Sequence, residues 1–336
     1  MSKRTVAPPM QDPISIVTRS PGLDPARIEA VITIPTFKRP DHLLATLESV
    51  RRQRTDRAFA VIVMENEAEQ REGATAAAPL FQSGELNGLV IVAHERGNCC
   101  AYNAGWKTAL ETFPDFRHLL VIDDDELADP DWLERMSLTA EALDADLVGG
   151  PQIPVFERAD MEHWRNHPVF RPPHAETGPV EALYSSGNLL VSRAVLEAMD
   201  YPFLDLRFNF MGGGDSDFLS RARQKGFRQA WCAEAPVRET IPSRRLQGDW
   251  IRARSIRNGV ISTLVERGKR AREPFGRAKV IARSLALLGA SPLRGLAAML
   301  RTGSVSTGLY PVLVGIGRVI AEFGYTNEQY RNAEKN

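Results

Sequence analysis

The sequence predicts an α/β fold: a doubly wound, mainly parallel sheet flanked by helices, followed by a helical C-terminal extension. Short apolar runs rich in Val and Ile alternate with segments whose apolar residues recur at helical spacing, and this alternation is typical of βαβ units. Polar residues follow directly after several of the runs, as in the buried strands of a parallel sheet. Because ligands bind beyond the carboxyl ends of such strands, the pattern also predicts where a site lies.

The predicted elements follow one another in regular order. We predict strands at 31–34, 59–64, 89–93, 118–122, 146–150 and 189–191, and helices that begin after Asp41 and cover about 99–112, 132–143 and 215–225. Residues 151–179 show no regular pattern and are rich in proline. Loops of this length usually serve as lids or binding loops, so we expect this segment to contribute to a site.

The two ends of the chain differ from this central part. Residues 1–29 hold scattered prolines and charges and no apolar run of signal-peptide length, so we expect a loose lead-in and no secretion. The region 30–268 is the predicted main domain, and 269–336 is a basic, apolar helical tail. Proline and charged residues interrupt the two apolar stretches of the tail, which favours helices lying on a membrane surface over membrane spans. Helices of an ordinary core or dimer surface are the alternative.

Composition excludes few classes of partner, but the charge distribution is informative. The 336-residue chain is 43% hydrophobic and 25% charged, which is ordinary for a soluble globular protein. Lys plus Arg equals Asp plus Glu at 42 each, so the net charge does not indicate nucleic acid. Residues 244–301 contain fourteen Lys and Arg against three acids, which favours contact with an anionic surface. The three cysteines form no disulfide or zinc framework and suit a reducing cytoplasm.

Three consecutive carboxylates, Asp123, Asp124 and Asp125, follow the apolar run 118–122. Carboxylates crowded at the end of a buried strand repel one another unless positive charge lies between them, and a divalent cation held by oxygen ligands is the usual solution. The alternative is an acidic turn that caps the helix beginning near Asp131. Both interpretations remain open on this stretch alone.

A second stretch that contains a candidate catalytic residue is rich in glycine and leads to Asp215. The three glycines at 212–214 let the backbone approach a ligand closely, and Asp215 then stands at the start of a predicted helix. A carboxylate in this position is well placed to act as a general base. The alternative is that Asp215 and Asp217 only satisfy the free N–H groups of the helix start.

Taken together, these stretches resemble the inverting family 2 glycosyltransferases of GT-A fold, most closely the bacterial exopolysaccharide, succinoglycan-type branch. Residues 34–40, Ile-Pro-Thr-Phe-Lys-Arg-Pro, resemble the first-strand nucleotide loop of that family, and 63–66, Val-Met-Glu-Asn, resemble its V-V-D-N stretch. Residues 123–125 match the D-x-D signature, and 212–217 resemble G-G-E-D-x-D. The resemblance covers roughly residues 30–265, and the order of the motifs along alternating strands makes it specific. Tyr102 stands where the family commonly has arginine, and Gly214 replaces the glutamate of the E-D pair.

The resemblance implies transfer of a sugar from a nucleotide-diphosphate donor, in our prediction a UDP-sugar. A Mg²⁺ or Mn²⁺ ion on Asp125, with Asp123 nearby, would bridge the donor phosphates, and Asp215 would take the proton of the acceptor hydroxyl. The implied donor-binding residues are Pro35, Thr36, Arg39, Glu65, Gly97, Asn103, Asp123 and Asp124. The implied acceptor-binding residues are Gly187, Asn188, Gly213 and Gly214, and phosphate contacts and a closing loop are assigned to Glu239, Arg254 and Arg257.

The expected partners are therefore a nucleotide-sugar donor, a glycan or lipid-linked oligosaccharide acceptor and an anionic membrane surface, with no nucleic acid. The expected location is the cytoplasm, peripheral at the inner face of the cell membrane. Two other classes remain open. A phosphatase of the haloacid dehalogenase type also places D-x-D after an apolar strand, although its motif normally continues into threonine or valine and this chain continues Glu126-Leu127. The other is a non-catalytic membrane scaffold that binds a nucleotide sugar without turning it over.

Overall fold

The computed structural model describes residues 13–325. Within them the chain forms, in order, β1 (Ile14–Arg19), β2 (Ala30–Thr36), α1 (Pro40–Arg51), β3 (Phe59–Glu65), α2 (Glu72–Gln82), β4 (Gly88–Ala93), α3 (Asn98–Thr112), β5 (His118–Ile122), β6 (Glu126–Ala128), α4 (Trp132–Ala142), β7 (Leu147–Gly149), β8 (Gln152–Phe156), β9 (Gly178–Pro179), β10 (Asn188–Ser192), α5 (Arg193–Ala198), α6 (Gly214–Gln224), β11 (Gln229–Trp231), β12 (Val237–Ile241), α7 (Gly248–Lys269), α8 (Gly276–Thr302) and α9 (Val305–Glu322). The first twelve residues of the predicted lead-in and the last eleven of the predicted tail lie outside the described residues.

A nine-stranded sheet forms the centre of the molecule, in the order β1-β4-β3-β2-β5-β10-β7-β11-β9. β4, β3, β2 and β5 are parallel neighbours, so their carboxyl ends meet at one edge. β10 lies antiparallel between β5 and β7, and β11 runs parallel to β7. The predicted α/β fold with a mainly parallel sheet is confirmed, with antiparallel strands at the sheet's margins and at β10.

The core consists of two apolar layers, one on each face of this sheet. Successive side chains of a strand alternate between the faces, and in β2 Val31 packs into one layer while Ile32 and Ile34 pack into the other. α3 covers the first face, and α1, α2 and α4 cover the second. Because both faces are buried, the central strands are apolar at nearly every position, which is why short apolar runs identified them.

Part of the predicted lead-in belongs to the sheet. β1 pairs antiparallel with β4, with Ile14 opposite Ala93 and Arg19 opposite Leu89. The expectation of a loose lead-in is therefore wrong for this segment. The physical reason is that β1 satisfies the otherwise free backbone edge of β4. An edge strand does not need to be apolar on both faces, and Ile16 is 61% exposed.

A small three-stranded sheet, in the order β6-β12-β8, follows the end of β5. Glu126 of β6 pairs with Glu239 of β12, which brings the chain after β12 towards the three carboxylates. The segment predicted to be irregular at 151–179 begins with β8 and contains a 3-10 helix at Ala159–Asn166. The small sheet therefore connects this segment to the edge of the central sheet.

Three long helices form the C-terminal region, where α9 packs against both α7 and α8. Glycines make these contacts close. A Cβ on Gly259 of α7 would stand 2.1 Å from the Val314 carbonyl oxygen, and one on Gly295 of α8 would stand 2.4 Å from the Gly308 carbonyl oxygen. By length and composition α8 and α9 also suffice to cross a membrane, and only 22% and 33% of their apolar windows are buried.

Candidate active site

A cavity of about 1700 Å³ opens at the carboxyl ends of β2, β3, β4 and β5. The loops after these strands line one side of it, as the sequence predicts for a parallel sheet. The remaining walls come from parts of 166–188, the start of α6, the residues after β12, and the helices α7–α9. The long segment after β8 therefore does contribute to the site.

Asp124 holds the loop after β2 in place. Its carboxylate accepts hydrogen bonds from Thr36 Oγ1 at 2.9 Å and from Arg39 Nη1 at 3.3 Å. Its carbonyl oxygen accepts a 2.9 Å hydrogen bond from Thr46 Oγ1 of α1. The side chain is only 8% exposed, so Asp124 positions the cavity wall more than it presents oxygen atoms to the cavity.

Asp123 and Asp125 flank this anchor and have different partners. Asp123 accepts a 2.6 Å hydrogen bond from the Tyr102 hydroxyl. Asp125 lies 2.8 Å from the guanidinium of Arg39 and 3.6 Å from that of Arg245. Tyr102 therefore does not reproduce the positive charge of an arginine, and Arg39 and Arg245 supply positive charge on the other side of the carboxylates.

Burial and mutual repulsion raise the pKa values of these carboxyl groups. Burial, reinforced by the charge of Asp125, raises the pKa of Asp123 to about 7. Burial also raises the pKa of Asp124 to about 6, although Arg39 opposes this shift. Behind them, burial and the charge of Asp123 raise the pKa of Glu126 well above its ordinary value. A bound cation would therefore stabilise the ionised forms of these carboxyl groups.

The residues present fit a divalent cation. Asp123 and Asp125 both line the cavity and supply the oxygen ligands that Mg²⁺ and Mn²⁺ prefer. No group of three or more His, Cys, Asp and Glu side chains is arranged as a metal site within residues 13–325. Mg²⁺ is usually bound by one or two carboxylates with phosphates of the substrate completing its shell, so two carboxylates suffice for that kind of site.

Three predicted donor-binding residues, Pro35, Thr36 and Arg39, line the cavity together. Beside them the Phe37 ring centroid lies 4.9 Å from the Arg96 guanidinium carbon. Arg96 comes from the loop after β4 and lines the same wall. This wall therefore combines an aromatic ring, a hydroxyl and two guanidinium groups, which suits a nucleotide.

The structure does not bring Glu65 and Asn103 to the cavity, in contrast to their predicted donor contacts. Glu65 is fully buried, and its carboxylate accepts hydrogen bonds from the N–H groups of Glu67 and Ala74 at 2.9 and 3.0 Å. Asn103 exchanges two hydrogen bonds with the backbone of Leu204, at 2.9 and 2.8 Å. Buried polar groups need such partners, so both residues support the walls from behind.

Gly97 lines the cavity after β4, where close packing requires glycine. Its φ is +131°, and a Cβ would stand 2.1 Å from the side-chain amide nitrogen of Asn209. Its N–H donates a 2.6 Å hydrogen bond to Asn66 Oδ1, and Asn66 also donates to the carbonyl oxygens of Ala93 and Glu95. Asn66 and Asn209 thus shape this wall.

Gly187 and Asn188, predicted to bind acceptor, lie directly beside the carboxylates. A Cβ on Gly187 would stand 2.5 Å from Gln152 Nε2 and 3.1 Å from Asp123 Oδ2, so the close packing around this position requires glycine. Asn188 accepts a 2.8 Å hydrogen bond from Trp132 Nε1 and donates to the carbonyl oxygens of Pro151 and Ala235. These bonds occupy its amide, although the residue borders the cavity.

Asp215 lies at the first turn of α6 and lines the cavity. Its Oδ1 accepts a 2.7 Å hydrogen bond from the Ser216 N–H. Burial raises its pKa, while backbone hydrogen bonds and the charge of Arg254 oppose the shift. Asp217 does not line the cavity and instead lies 2.7 Å from the guanidinium of Arg221. The two acids at the start of α6 therefore have different surroundings, and of the two only Asp215 borders the cavity.

The glycines before Asp215 fit against neighbouring elements. Gly213 has φ +95°, and a Cβ on it would stand 2.5 Å from the Ile261 side chain of α7. At Gly214, where the family pattern has glutamate, a Cβ would stand 2.7 Å from Cys99 Sγ. Cys99 therefore occupies the space that a larger side chain at this position would need.

The predicted loop and phosphate residues also reach the cavity. Glu239 accepts a 2.7 Å hydrogen bond from Arg245. The same guanidinium lies 3.6 Å from Asp125, so Arg245 bridges the two carboxylates. Arg254 and Arg257 line the cavity from α7. Sequence reasoning missed the role of Arg245, because its approach to Asp125 depends on the pairing of β12 with β6. Its place in the basic region 244–301 was the only available signal.

The family model for Glycosyl transferase family 2 matches residues 31–199. This match covers just over half of the chain and includes the three carboxylates after β5. The chain belongs to glycosyl transferase family 2. Among its relatives, the succinoglycan biosynthesis protein ExoM of Rhizobium meliloti (strain 1021) is 29% identical over 240 residues, which cover 68% of this chain and 72% of ExoM.

Solved structures show the same fold. This family 2 glycosyltransferase matches S. aureus TarS 1-349 in complex with UDP at a TM-score of 0.52 and 14% identity, covering 89% of this chain and 91% of that one. The TarS complex with UDP-GlcNAc matches at a TM-score of 0.50 and 13% identity, with the same coverage.

The comparisons confirm the predicted family, the GT-A-like fold and the assignment as a glycosyltransferase. The haloacid dehalogenase alternative was wrong, since the D-x-D stretch belongs to a different family of enzymes. The non-catalytic scaffold is set aside for the same reason, because the family consists of glycosyl-transferring enzymes.

Proposed function

We propose that this glycosyltransferase moves a sugar from a UDP-sugar to a hydroxyl group of a glycan or lipid-linked oligosaccharide, with inversion at the anomeric carbon. The observation that carries the proposal is the meeting of Asp123, Asp125 and Asp215 in one cavity. The first two of these carboxylates follow a central strand, and the third lies in the first turn of α6. Such a cavity could hold a divalent cation that binds the donor diphosphate, and it also contains a carboxylate that could act as a base.

The donor would lie along the loops after β2 and β4. Pro35, Thr36 and Arg39 would hold the nucleoside, on a wall that Asp124 orders through Thr36 and Arg39. Gly97 would let the nucleotide approach the backbone closely. TarS, which shares the fold, was crystallised with UDP and with UDP-GlcNAc, and this supports UDP as the nucleotide.

Asp125 and Asp123 would hold Mg²⁺ or Mn²⁺. When bound, such an ion neutralises the diphosphate and stabilises the charge that develops on the leaving group. The chain also contributes positive charge of its own, because Arg39 and Arg245 flank Asp125. Both arginines line the cavity and would contact the phosphates of the donor.

Asp215 would accept the proton of the acceptor hydroxyl as that oxygen attacks the anomeric carbon. Burial raises the pKa of Asp215, which makes its carboxylate a stronger base than an ordinary exposed one. The Ser216 N–H fixes the orientation of the carboxylate at 2.7 Å. Gly187, Gly213 and Gly214 border the cavity, where the acceptor would lie against their backbone.

The C-terminal hairpin α8–α9 supports attachment to the inner face of the cell membrane. Helices of soluble proteins bury their large apolar residues, whereas helices in lipid pack through small residues and expose large ones. In α8 the buried residues are Gly276, Val280, Ser284, Ser291 and Gly295. The exposed ones include Leu285, Leu293, Leu296 and Leu300, at 55%, 76%, 49% and 76%. ExoM is named for succinoglycan biosynthesis, so we further propose a role in exopolysaccharide assembly at this membrane.

Replacing Leu293 and Leu300 together by glutamine is expected to weaken binding to anionic liposomes at low salt by about 100-fold or more, because burying each leucine in the membrane would contribute about 1.5–3 kcal/mol. The melting temperature should not fall, since both side chains are 76% exposed. Leu138→Gln is the matched control, because Leu138 is 50% exposed on the distant helix α4. Liposome cosedimentation measures the effect. Failure of the full-length protein to cosediment with these liposomes would refute membrane attachment.

The function itself is tested by incubating the protein with Mn²⁺, a panel of nucleotide sugars and a membrane extract that contains lipid-linked oligosaccharides. We expect release of UDP from one UDP-sugar, and a new glycosidic bond whose anomeric configuration, read by NMR, is opposite to that of the donor. Retention of configuration would contradict the single-base mechanism. No turnover of any nucleotide sugar would contradict the proposed function.

A further inference from the structure

The side chain of Tyr184 is exposed at the cavity, in the loop that leads to β10. It is 61% exposed and lines the cavity. The other large apolar and aromatic side chains that are exposed in the described part of the chain lie outside the cavity. Between residues 13 and 325 the Tyr184 ring has no aromatic or cationic partner, and its hydroxyl forms no hydrogen bond. An uncovered aromatic ring therefore borders the site.

Ser216 connects this tyrosine to the proposed base. Its hydroxyl donates a 2.9 Å hydrogen bond to the Tyr184 carbonyl oxygen, and its N–H donates the 2.7 Å hydrogen bond to Asp215. The next residue of the loop is also held, because the Ser185 hydroxyl donates a 2.8 Å hydrogen bond to the side-chain oxygen of Gln152 on β8. These bonds fix the backbone of Tyr184 beside Asp215, so its ring borders the part of the cavity that contains the base.

The position of Tyr184 associates it with the acceptor and not with the donor. The donor is proposed to lie along the loops after β2 and β4, whereas Tyr184 precedes β10 and is bonded to the first turn of α6. The proposed base accepts a proton from the acceptor hydroxyl. A side chain whose backbone is held beside that base is therefore close to the acceptor.

We infer that the Tyr184 ring packs against the sugar ring that carries the attacking hydroxyl, and that Tyr184 thereby selects a pyranose as acceptor. One face of a pyranose presents C–H groups, which pack favourably on the electron-rich face of an aromatic ring. Tyrosine also supplies a large contact area at a low cost in conformational entropy. The inference rests on the proposed function for the role of Asp215, and it adds the side chain that recognises the acceptor.

Tyr184→Ala is expected to raise, by about tenfold, the amount of membrane extract that gives half-maximal sugar transfer. The UDP-sugar concentration at half-maximal rate and the affinity for UDP with Mn²⁺ should not change. Tyr184→Phe should behave like the unaltered protein, because it keeps the ring. Tyr201→Ala is the matched control, since Tyr201 is 54% exposed and does not line the cavity.

A second measurement does not depend on turnover. Saturation-transfer NMR is recorded on the full-length protein with UDP and Mn²⁺, in the presence of the methyl pyranosides of glucose, galactose, mannose and N-acetylglucosamine. We expect saturation of the C–H protons on one face of at least one of these rings. The signal should be lost in Tyr184→Ala and retained in Tyr201→Ala.

Several outcomes would overturn the inference. One is a Tyr184→Ala variant whose dependence on the extract equals that of the unaltered protein or of Tyr201→Ala. Another is a Tyr184→Ala variant that needs more UDP-sugar instead of more extract, because the ring would then contact the donor. A Tyr184→Phe variant as impaired as Tyr184→Ala would exclude packing on the ring. If the unaltered protein turned over no nucleotide sugar, the proposed function would be refuted, and the NMR measurement would still decide whether Tyr184 contacts a sugar.

Discussion

Asp215→Asn is expected to lower the rate of sugar transfer by about 10²- to 10⁴-fold, the usual contribution of a general base. The amide has the shape of the carboxylate but cannot accept the proton of the acceptor hydroxyl. Affinity for UDP and Mn²⁺ should stay close to that of the unaltered protein, because the donor is proposed to bind at the Asp123–Asp125 edge. Initial rates at saturating donor and acceptor, together with UDP titrations, separate the two effects.

The same substitution should not destabilise the fold. Burial raises the pKa of Asp215 in the folded protein, so the unaltered protein loses stability as the pH rises from the ordinary carboxyl pKa through the raised one. Asparagine does not titrate and escapes this loss. The melting temperature of the variant should therefore equal or exceed that of the unaltered protein at neutral pH, and the difference should disappear in acid.

Asp217→Asn is the matched control for this experiment. Asp217 is on the same helix turn, but it pairs with Arg221 at 2.7 Å and does not line the cavity. Its replacement should leave transfer near normal and lower the melting temperature modestly, because a partly buried ion pair loses one partner. If Asp217→Asn abolished transfer while Asp215→Asn retained it, the roles of the two acids would be reversed.

Asp125→Asn is expected to have the second large effect, a loss of the metal dependence of donor binding. Replacing a residue that supports a metal ligand typically lowers metal affinity or activity 10- to 100-fold. Replacing a residue that binds the metal directly should therefore lower it by about 100-fold. Metal-free affinity for UDP should not fall, because Arg39 and Arg245 lose the carboxylate that they flank and stay near the phosphates. The ratio of UDP affinities with and without Mn²⁺ is therefore the informative quantity.

The control for Asp125 is Asp131→Asn, which removes a carboxylate whose side chain is 35% exposed and pairs with Arg54 on the surface. In Asp131→Asn the ratio of UDP affinities with and without Mn²⁺ should match that of the unaltered protein. A large Mn²⁺ effect that survives in Asp125→Asn would remove Asp125 from the metal site and leave Asp123 as the next carboxylate to test.

Much of this architecture was predictable from the sequence, for a physical reason. The strands that carry the site are buried on both faces, so each appears as an unbroken apolar run, and polar residues such as those at 123–125 mark its end. Parallel pairing then places these ends at one edge without further information. The same criterion does not predict β1, because β1 is an edge strand with exposed residues and a weak apolar pattern.

The side-chain partners were less predictable because they depend on distant pairings. A sequence does not show that Tyr102 donates to Asp123 from α3, or that Arg245 approaches Asp125 once β12 pairs with β6. It also does not show that Glu65 turns towards the N–H groups at the start of α2. The resemblance to a family supplied roles for positions, whereas the packing around each position decides which side chains line the cavity.

Whether the Asp123–Asp125 edge holds a nucleotide diphosphate is decided by a calorimetric titration of UDP into the unaltered protein with Mn²⁺ and with a chelator. We expect binding to be much tighter with Mn²⁺, because the phosphates otherwise meet three carboxylates whose repulsion the arginines only partly offset. Equal UDP affinity under the two conditions, or no binding in either, would contradict it.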